Sequence, residues 1–492
     1  MPTTRHASSR AVFTATAILS SGWAVSLLVG LVSAKATAVL MGPIGVGYIG
    51  LLQSTLGLAV MMGGVYAGVI PAIARARAMS EPVAEAASRS AAWGLWLVSG
   101  GSLAIALITF RVPLARLVLG TAERADAIAP LAVALLLTLA AGLQAGILTA
   151  HQRIREIAWL GVSNSVLGPV LLLPLLWIWR ESAVPWALCA GSFASFLVSR
   201  YYLRRTPPPD VRVSRQQIAD AARGLLRFGL PFNASALAGT GVQLTIPFLI
   251  LHTLGSSDVG FYRASIGISM AYLGSIASAM GQDYYPRVSA CGDDPAALAS
   301  VVNDQARLVL RLTGPVILGI LAFAPYLVPL IYTSQFAPVV PLLEWQLVAD
   351  LLRVTALALG FALLGRNGAL SYLGAELLTG GTLLLLTWIG MGAFQLNGVG
   401  IASLVSSAAG LLIYASILYR TLGVRLAKET WFLLMAFLVG AVIIRAAAYT
   451  GVAELRVGVG LAVAGTAALA TIRAVRAELG GLRRLLPWRS AA

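Results

Sequence analysis

Long apolar runs, separated by short polar stretches, follow one another along the whole chain. Each run is near the ~20 residues that a membrane-spanning helix needs, and none alternates apolar and polar positions as the strands of a membrane barrel do. The pattern predicts an all-α polytopic membrane protein with fourteen transmembrane helices. The predicted spans are 11–34, 45–72, 91–119, 127–149, 157–179, 184–203, 228–252, 259–281, 305–332, 341–365, 369–390, 398–419, 431–449 and 457–475.

Two glycine-rich segments indicate that half of this pattern is a copy of the other half. GPIGVGYIGLLQS (42–54) and GSSDVGFYRASIGIS (255–269) each place a Gly-aromatic step at the start of an apolar helix. Tyr48 and Phe261 are 213 residues apart (261 − 48), and the same offset relates Pro82 to Pro295 and Leu160-Gly161 to Leu373-Gly374. We therefore expect two six-helix lobes related by a parallel internal repeat, plus a C-terminal helix pair.

The polar connections divide the chain into four predicted parts. These are an N-terminal six-helix lobe (1–205), an amphipathic cytoplasmic linker (206–227), a C-terminal six-helix lobe (228–422), and an extra helix pair with a basic cytoplasmic tail (423–492). The linker begins with a stiff Pro-rich stretch, Thr206 to Pro209, and Ser214 with Gln217 predicts a capping box for the helix that follows. Pro82 and Pro295, each after an acidic residue, predict two matched helix starts with capping side chains.

Composition excludes a soluble domain and fixes the expected orientation. Only 11% of residues are charged while 58% are hydrophobic, whereas soluble domains carry about a quarter charged residues. The net charge of +16 comes from arginines concentrated in alternate connections. This is the positive-inside pattern, and it predicts a multi-pass protein with both termini cytoplasmic and no nucleic-acid partner.

Cofactor and enzyme chemistry find little support in the sequence. The two cysteines, Cys189 and Cys291, fall in a predicted span and a predicted loop, and the three histidines are scattered. No metal motif results, and no disulfide is expected. The predicted outer loops are short, so we expect neither a cofactor nor an enzyme active site.

Charged residues inside the predicted spans are the first candidates for function, because a charge in the bilayer centre is costly. Asp350 and Arg353 share one face of the tenth span, where they either form a structural ion pair or line a water-filled cavity. Glu376 has no charged neighbour within one turn of its own helix. It either faces the cavity or meets a basic residue of another helix.

Three further candidates lie near the repeated glycine segments. Lys35 and Arg263 flank them at the predicted outer mouth, where they either form a cationic entrance or snorkel to the interface. Gln53 lies inside the second span and either lines a cavity or bonds a neighbouring helix. Basic residues outnumber acidic ones among these buried groups, which favours an anionic ligand, with the acids available to carry a proton or sodium ion.

Several phrases resemble a known family. GPIGVGYIGLLQS, RFGLPFNAS (227–235), GFYRASIGIS (260–269) and MGQDYYPRVSA (280–290) are similar to those of the O-antigen, or Wzx-type, polysaccharide flippases. These belong to the multidrug/oligosaccharidyl-lipid/polysaccharide (MOP) exporter superfamily. The resemblance covers about 11–420, and its motifs are structural rather than catalytic.

The resemblance implies a function in surface-glycan assembly. It implies that undecaprenyl-pyrophosphate-linked oligosaccharide crosses the bacterial inner membrane by alternating access between two lobes around a central cationic cavity. The expected partners are this lipid-linked oligosaccharide, membrane lipids and other glycan-assembly proteins. A cation-coupled multidrug exporter of the same fold is the alternative, and it would need an acidic cavity. A membrane glycosyltransferase or polymerase would need a large outer loop.

Overall fold

The computed structural model describes residues 4–291, 294–366, 368–449 and 453–485. Over these ranges the chain forms eighteen α-helices and no strand. The helices are α1 (Thr4–Gly63), α2 (Val69–Ala78), α3 (Pro82–Leu95), α4 (Gly101–Thr109), α5 (Arg111–Leu119), α6 (Ile128–Ala150), α7 (Ile154–Trp179), α8 (Val184–Leu203), α9 (Arg215–Ala236), α10 (Val242–Thr253), α11 (Ser256–Ala279), α12 (Tyr285–Ala290), α13 (Pro295–Ile331), α14 (Val339–Gly365), α15 (Ala369–Phe394), α16 (Leu396–Leu422), α17 (Lys428–Tyr449) and α18 (Ala453–Leu485).

The predicted all-α polytopic class is confirmed. Among the described residues, ten segments are long and apolar enough to cross a membrane, and one of them, Arg155–Leu203, contains both α7 and α8 joined by a short 3₁₀ turn. The count of fourteen spans and the symmetry of whole lobes remain predictions. The segments Ala125–Ala150 and Val339–Gly365 have the most buried windows, at 67% and 78%. They correspond to α6 and α14.

The chain divides into two compact units. One comprises Met1–Arg263 with Ile331–Thr333, and the other comprises Ala264–Leu330 with Ser334–Ala492. The division falls inside α11, after Arg263, so the first unit holds α1 to α10 and the first turns of α11. The four predicted sequence domains, with their limits at 205, 227 and 422, remain predictions.

The linker helix does not end where the predicted seventh span begins. The capping box at Ser214 and Gln217 is confirmed, and α9 starts there. It then continues past Pro231, and a π-helical turn, Leu237–Gly241, joins it to α10. Backbone hydrogen bonds carry a helix across a change from polar to apolar side chains, so hydropathy alone cannot locate this kind of boundary.

The two matched helix starts are confirmed in position and corrected in detail. Helices α3 and α13 begin at Pro82 and Pro295. Asp294 Oδ1 accepts hydrogen bonds from the backbone N–H groups of Ala296 and Ala297, at 2.9 and 3.2 Å, which satisfies the first turn of α13. Glu81, by contrast, makes no side-chain cap to α3. The expectation of two capping side chains is therefore wrong at Glu81.

Within the second unit, a buried ion pair joins the C-terminal helix α18 to α14. The Arg456 guanidinium lies 2.7 Å from Glu344 Oε1, and both side chains are about nine-tenths buried, at 11% and 9% exposure. The same guanidinium donates to the carbonyl oxygens of Leu321 and Ala322 in α13. One arginine thus joins three helices, and Glu344 has a structural partner.

Candidate functional site

The first glycine segment contains a sharp break in α1. Gly42 has φ 62° and ψ −169°, a backbone conformation that side chains with a Cβ rarely adopt. Pro43 follows directly and cannot donate the hydrogen bond that would continue the helix across this point. The glycine and proline therefore set the direction in which the second part of α1 leaves the break.

The second part of α1 packs against the start of α11 through backbone atoms, and we call this contact the glycine seam (residues 43–54 and 256–263). A Cβ placed on Gly47 would lie 2.5 Å from the carbonyl oxygen of Ser256, and one placed on Gly260 would overlap the carbonyl group of Pro43. Only glycine allows the two helices to approach this closely.

The seam is reciprocal under the internal repeat. The offset of 213 residues carries Pro43 onto Ser256 (256 − 43) and Gly47 onto Gly260 (260 − 47). The contact between Gly47 and Ser256 therefore has its counterpart in the contact between Gly260 and Pro43. Such a self-complementary contact is what a two-fold relation between equivalent helices produces. At this point the duplicated segments pack against each other.

Arg263 occupies the end of the seam. Its guanidinium donates to the carbonyl oxygen of Gly50, its own repeat equivalent, and to the Ser54 hydroxyl at 2.6 Å. Its Nε is buried without a hydrogen-bond partner. The Arg263 side chain therefore crosses from α11 to α1, and its predicted role at a cationic entrance remains a prediction. An arginine with spare donor capacity in a buried seam is suited to hold an anionic group.

The other two candidates of this region lie on α1. Lys35 is half-buried in the part before the Gly42 break, and Gln53 is exposed in the part after it. Gln53 is thus directed away from the buried Ser54, its neighbour in sequence. The aromatic residue of the first segment, Tyr48, is buried, and the Arg124 guanidinium lies 4.8 Å from its ring centroid. A role in transport for Lys35 and Gln53 remains a prediction.

Asp350 lies in a polar ladder between α11 and α14. The hydroxyl of Ser265 donates to Gln346, and one helical turn further along both helices the hydroxyl of Ser269 donates to Asp350 Oδ2. Tyr272 donates to the same oxygen at 2.5 Å. Asp350 is fully buried, with 0% of its surface exposed. Three hydrogen-bonding groups on α11 therefore align with two on α14.

Arg353 completes this group from the same helix as Asp350. Its guanidinium lies 3.1 Å from Asp350 Oδ1 and its side chain is 26% exposed, so the predicted pairing across one turn of α14 is confirmed. Asp350 is thus buried in the contact between the helices, whereas Arg353 is partly exposed. A negative charge in this position is compensated from two sides, by a cation and by two hydroxyl groups.

Glu376 lies in a separate polar group. Its Oε1 accepts a hydrogen bond from the Tyr414 hydroxyl of α16 at 2.6 Å, and the rings of Tyr414 and Tyr372 are 6.1 Å apart. The carboxylate is half-buried. The hydrogen-bond donor to Glu376 is thus a tyrosine hydroxyl. The sequence had suggested either a cavity or a basic residue of another helix, and it had not suggested a tyrosine.

Lys35, Gln53 and Arg263 thus lie in the first unit, and Asp350, Arg353 and Glu376 lie in the second. Of these six candidates, the structure brings Asp350 and Arg353 together as a pair. Sequence reasoning missed the hydroxyl partners, namely Ser54, Ser269, Tyr272 and Tyr414. One signal was present, because Ser265 and Ser269 repeat at the same spacing as Gln346 and Asp350. Polar residues four apart on two helices are typical of a hydrogen-bonded helix pair.

Comparison with protein families shows which family this chain belongs to. The family described as polysaccharide biosynthesis protein matches residues 36–341, which include the whole glycine seam. The chain belongs to this polysaccharide biosynthesis family. No curated protein sequence matches it.

Solved structures show that this polysaccharide biosynthesis protein has the MOP fold. The lipid II flippase MurJ in an inward closed conformation is similar at 11% identity and a TM-score of 0.71, over 94% of this chain and 99% of that one. An inward-facing MATE family multidrug resistance transporter is similar at 17% identity and a TM-score of 0.68, over 81% of this chain and 96% of that one. A MOP superfamily transporter from Pyrococcus furiosus has 17% identity and a TM-score of 0.61, over 82% and 96%. The expected MOP-type fold is confirmed.

Proposed function

We propose that this polysaccharide biosynthesis protein is a flippase that moves undecaprenyl-pyrophosphate-linked oligosaccharide, an O-antigen or exopolysaccharide repeat unit, across the bacterial inner membrane. The observation that carries the proposal is membership of the family through residues 36–341, a region that includes several helical segments long and apolar enough to cross a membrane. Glycan assembly on a lipid carrier needs a protein that moves the carrier's polar head through the bilayer. The similarity in fold to a lipid II flippase supports this choice of cargo class.

In this proposal the glycine seam is the part that opens and closes. With the seam closed, Gly50 and Ser54 occupy donors of Arg263. Separation of α1 from α11 would free these donors for a pyrophosphate, because the planar guanidinium matches two phosphate oxygens at once. The protein would then alternate between a state in which Arg263 bonds its own helices and a state in which it bonds cargo. Both termini are cytoplasmic in this proposal, as the distribution of arginines predicts.

The proposal is tested by reconstitution of the full-length protein in liposomes that contain an undecaprenyl-pyrophosphate oligosaccharide with a fluorescent sugar. We expect the sugar to become accessible to an added impermeant quencher on the opposite leaflet. Arg263→Gln is expected to slow this by about tenfold or more, since it removes two charge-assisted hydrogen-bonding options worth about 1.5–3 kcal/mol each. Arg116→Gln, at an exposed arginine, is the matched control and should leave the rate unchanged.

Two outcomes would contradict the proposal. The first is no movement of the labelled oligosaccharide by the unaltered protein. The second is export of a cationic dye driven by a proton or sodium gradient in the same liposomes, which would favour the multidrug alternative. Equal rates for Arg263→Gln and Arg116→Gln would remove Arg263 from the mechanism. The thermal unfolding midpoint of both variants separates loss of function from loss of folding.

A further inference from the structure

A cavity of about 520 Å³ lies at one end of the first unit, outside the glycine seam. Helices α3, α6 and α8 form its walls, and the Pro-rich stretch 207–209 of the linker forms its rim. Three arginines line it: Arg89, Arg200 and Arg204. The positive-inside pattern places this end on the predicted cytoplasmic side.

Arg89 is built into the wall of the cavity. It is 6% exposed, pairs with Glu85 at 2.7 Å, and donates to the carbonyl oxygen of Thr206 at 3.0 Å. Its Nε is nevertheless buried with no hydrogen-bond partner. A buried guanidinium that lines a cavity and retains an unused donor is costly unless a ligand or water satisfies it.

The charges around the cavity do not balance. Glu85 is the acid that pairs with Arg89, and burial lowers the pKa of the His151 imidazole, which lies 3.1 Å from Glu85. Arg200 and Arg204 are one turn apart at the end of α8, both exposed, and within the described residues neither forms an ion pair with an acid. The described residues that line the cavity thus include three guanidinium groups and no carboxylate, which favours a ligand with a phosphate group.

The apolar residues of the cavity indicate what kind of molecule the phosphate group belongs to. Trp93, Ile147 and Leu203 also line the cavity. Leu203 is the last residue of one apolar membrane segment, and Ile147 lies in the last turn of another. The cavity therefore lies where helices leave the membrane, with an aromatic ring of the kind that is enriched at that depth. A ligand here has a charged phosphate toward the arginines and an apolar body toward the bilayer.

We propose that this cavity binds the headgroup of an anionic phospholipid of the inner leaflet. Basic pockets between membrane helices on the cytoplasmic side suit such headgroups. The phosphate would bridge Arg89, Arg200 and Arg204, and because Arg89 also bonds Thr206, a bound lipid would fix the start of the linker that leads to α9. This site is separate from the proposed cargo path, and the proposal does not depend on the identity of the cargo.

The test measures lipid retention by the purified full-length protein with native mass spectrometry in detergent. The probes are phosphatidylglycerol and phosphatidylcholine with the same acyl chains. We expect phosphatidylglycerol to be retained preferentially, and Arg200→Gln/Arg204→Gln to weaken that retention by about tenfold or more. Arg215→Gln/Arg227→Gln is the matched control, because it removes the same charge from exposed positions outside the cavity. The control should retain the lipid as the unaltered protein does.

Each remaining result would overturn the proposal. Equal retention of the two lipids, or equal loss in both double variants, would mean that the cavity does not select a headgroup. Displacement of phosphatidylglycerol by inorganic phosphate at comparable concentration would assign the site to a soluble phosphate compound. Stronger displacement by undecaprenyl pyrophosphate would assign it to the cargo. Because no transport is measured, failure here leaves the proposed flippase activity untouched.

Discussion

Replacement of Gly260 by alanine is expected to lower the rate of lipid-linked oligosaccharide movement at least about fivefold and to lower the thermal unfolding midpoint. The added Cβ would overlap the carbonyl group of Pro43. Both sides of this contact are helix backbone, so neither can move without separating α1 from α11. Overpacking of this kind costs about 1–3 kcal/mol. If the whole cost destabilises the closed state of the seam, the ratio of closed to open protein falls about 5–150-fold.

Gly274→Ala is the matched control for this prediction. It adds the same methyl group to the same helix, α11, at a position where the Cβ would meet nothing within 4 Å. The reciprocity of the seam supplies a second check: Gly47→Ala, whose Cβ would lie 2.5 Å from the Ser256 carbonyl oxygen, should act in the same direction as Gly260→Ala. If Gly260→Ala and Gly274→Ala behave alike, close backbone approach is not what the glycines provide.

The sequence predicted the helices well because membrane insertion imposes a simple rule. An apolar run of sufficient length must satisfy its backbone hydrogen bonds internally, so it becomes a helix. Helix boundaries in polar segments are predicted less accurately, because the rule does not apply to them. Helix α9 crosses from the polar linker into the apolar span without a break. Helix α3 begins at Pro82, ahead of the predicted span that begins at 91, and it was the proline, not hydropathy, that predicted this start. A helix that extends into water leaves no mark in hydropathy.

The candidate site was predictable to a different extent in each unit. The glycine segments could be found because a duplicated motif repeats in sequence, and their contact preserves that repeat in space. The pairing of Asp350 with Arg353 followed from helical spacing alone. The hydroxyl donors from α11 could not be assigned, because Ser269 lies 81 residues from Asp350 and only the packing of α11 on α14 selects it.

Asp350→Ala is expected to destabilise the second unit more than any other single change among the candidates. It removes the fully buried acceptor of Ser269 and Tyr272 and leaves Arg353, whose side chain is 26% exposed, without its ion-pair partner. Loss of one member of a buried ion pair costs about 3–5 kcal/mol. The thermal unfolding midpoint of the purified protein should therefore fall by several degrees, and Asp350→Asn, which keeps an acceptor oxygen, should fall less.

The double variant Asp350→Asn/Arg353→Gln separates a structural ion pair from a transport site. It removes both charges while keeping hydrogen-bonding groups of similar shape, and paired removal of buried charges is often neutral for stability. We expect its unfolding midpoint to return to within a few degrees of the unaltered protein, while oligosaccharide movement stays reduced. Recovery of movement together with stability would show that the pair only holds α14 against α11. Stability and transport are measured on the same variant. The effect of the two charges on transport can therefore be separated from their effect on the packing of α14 against α11. A single substitution at Asp350 cannot separate these effects.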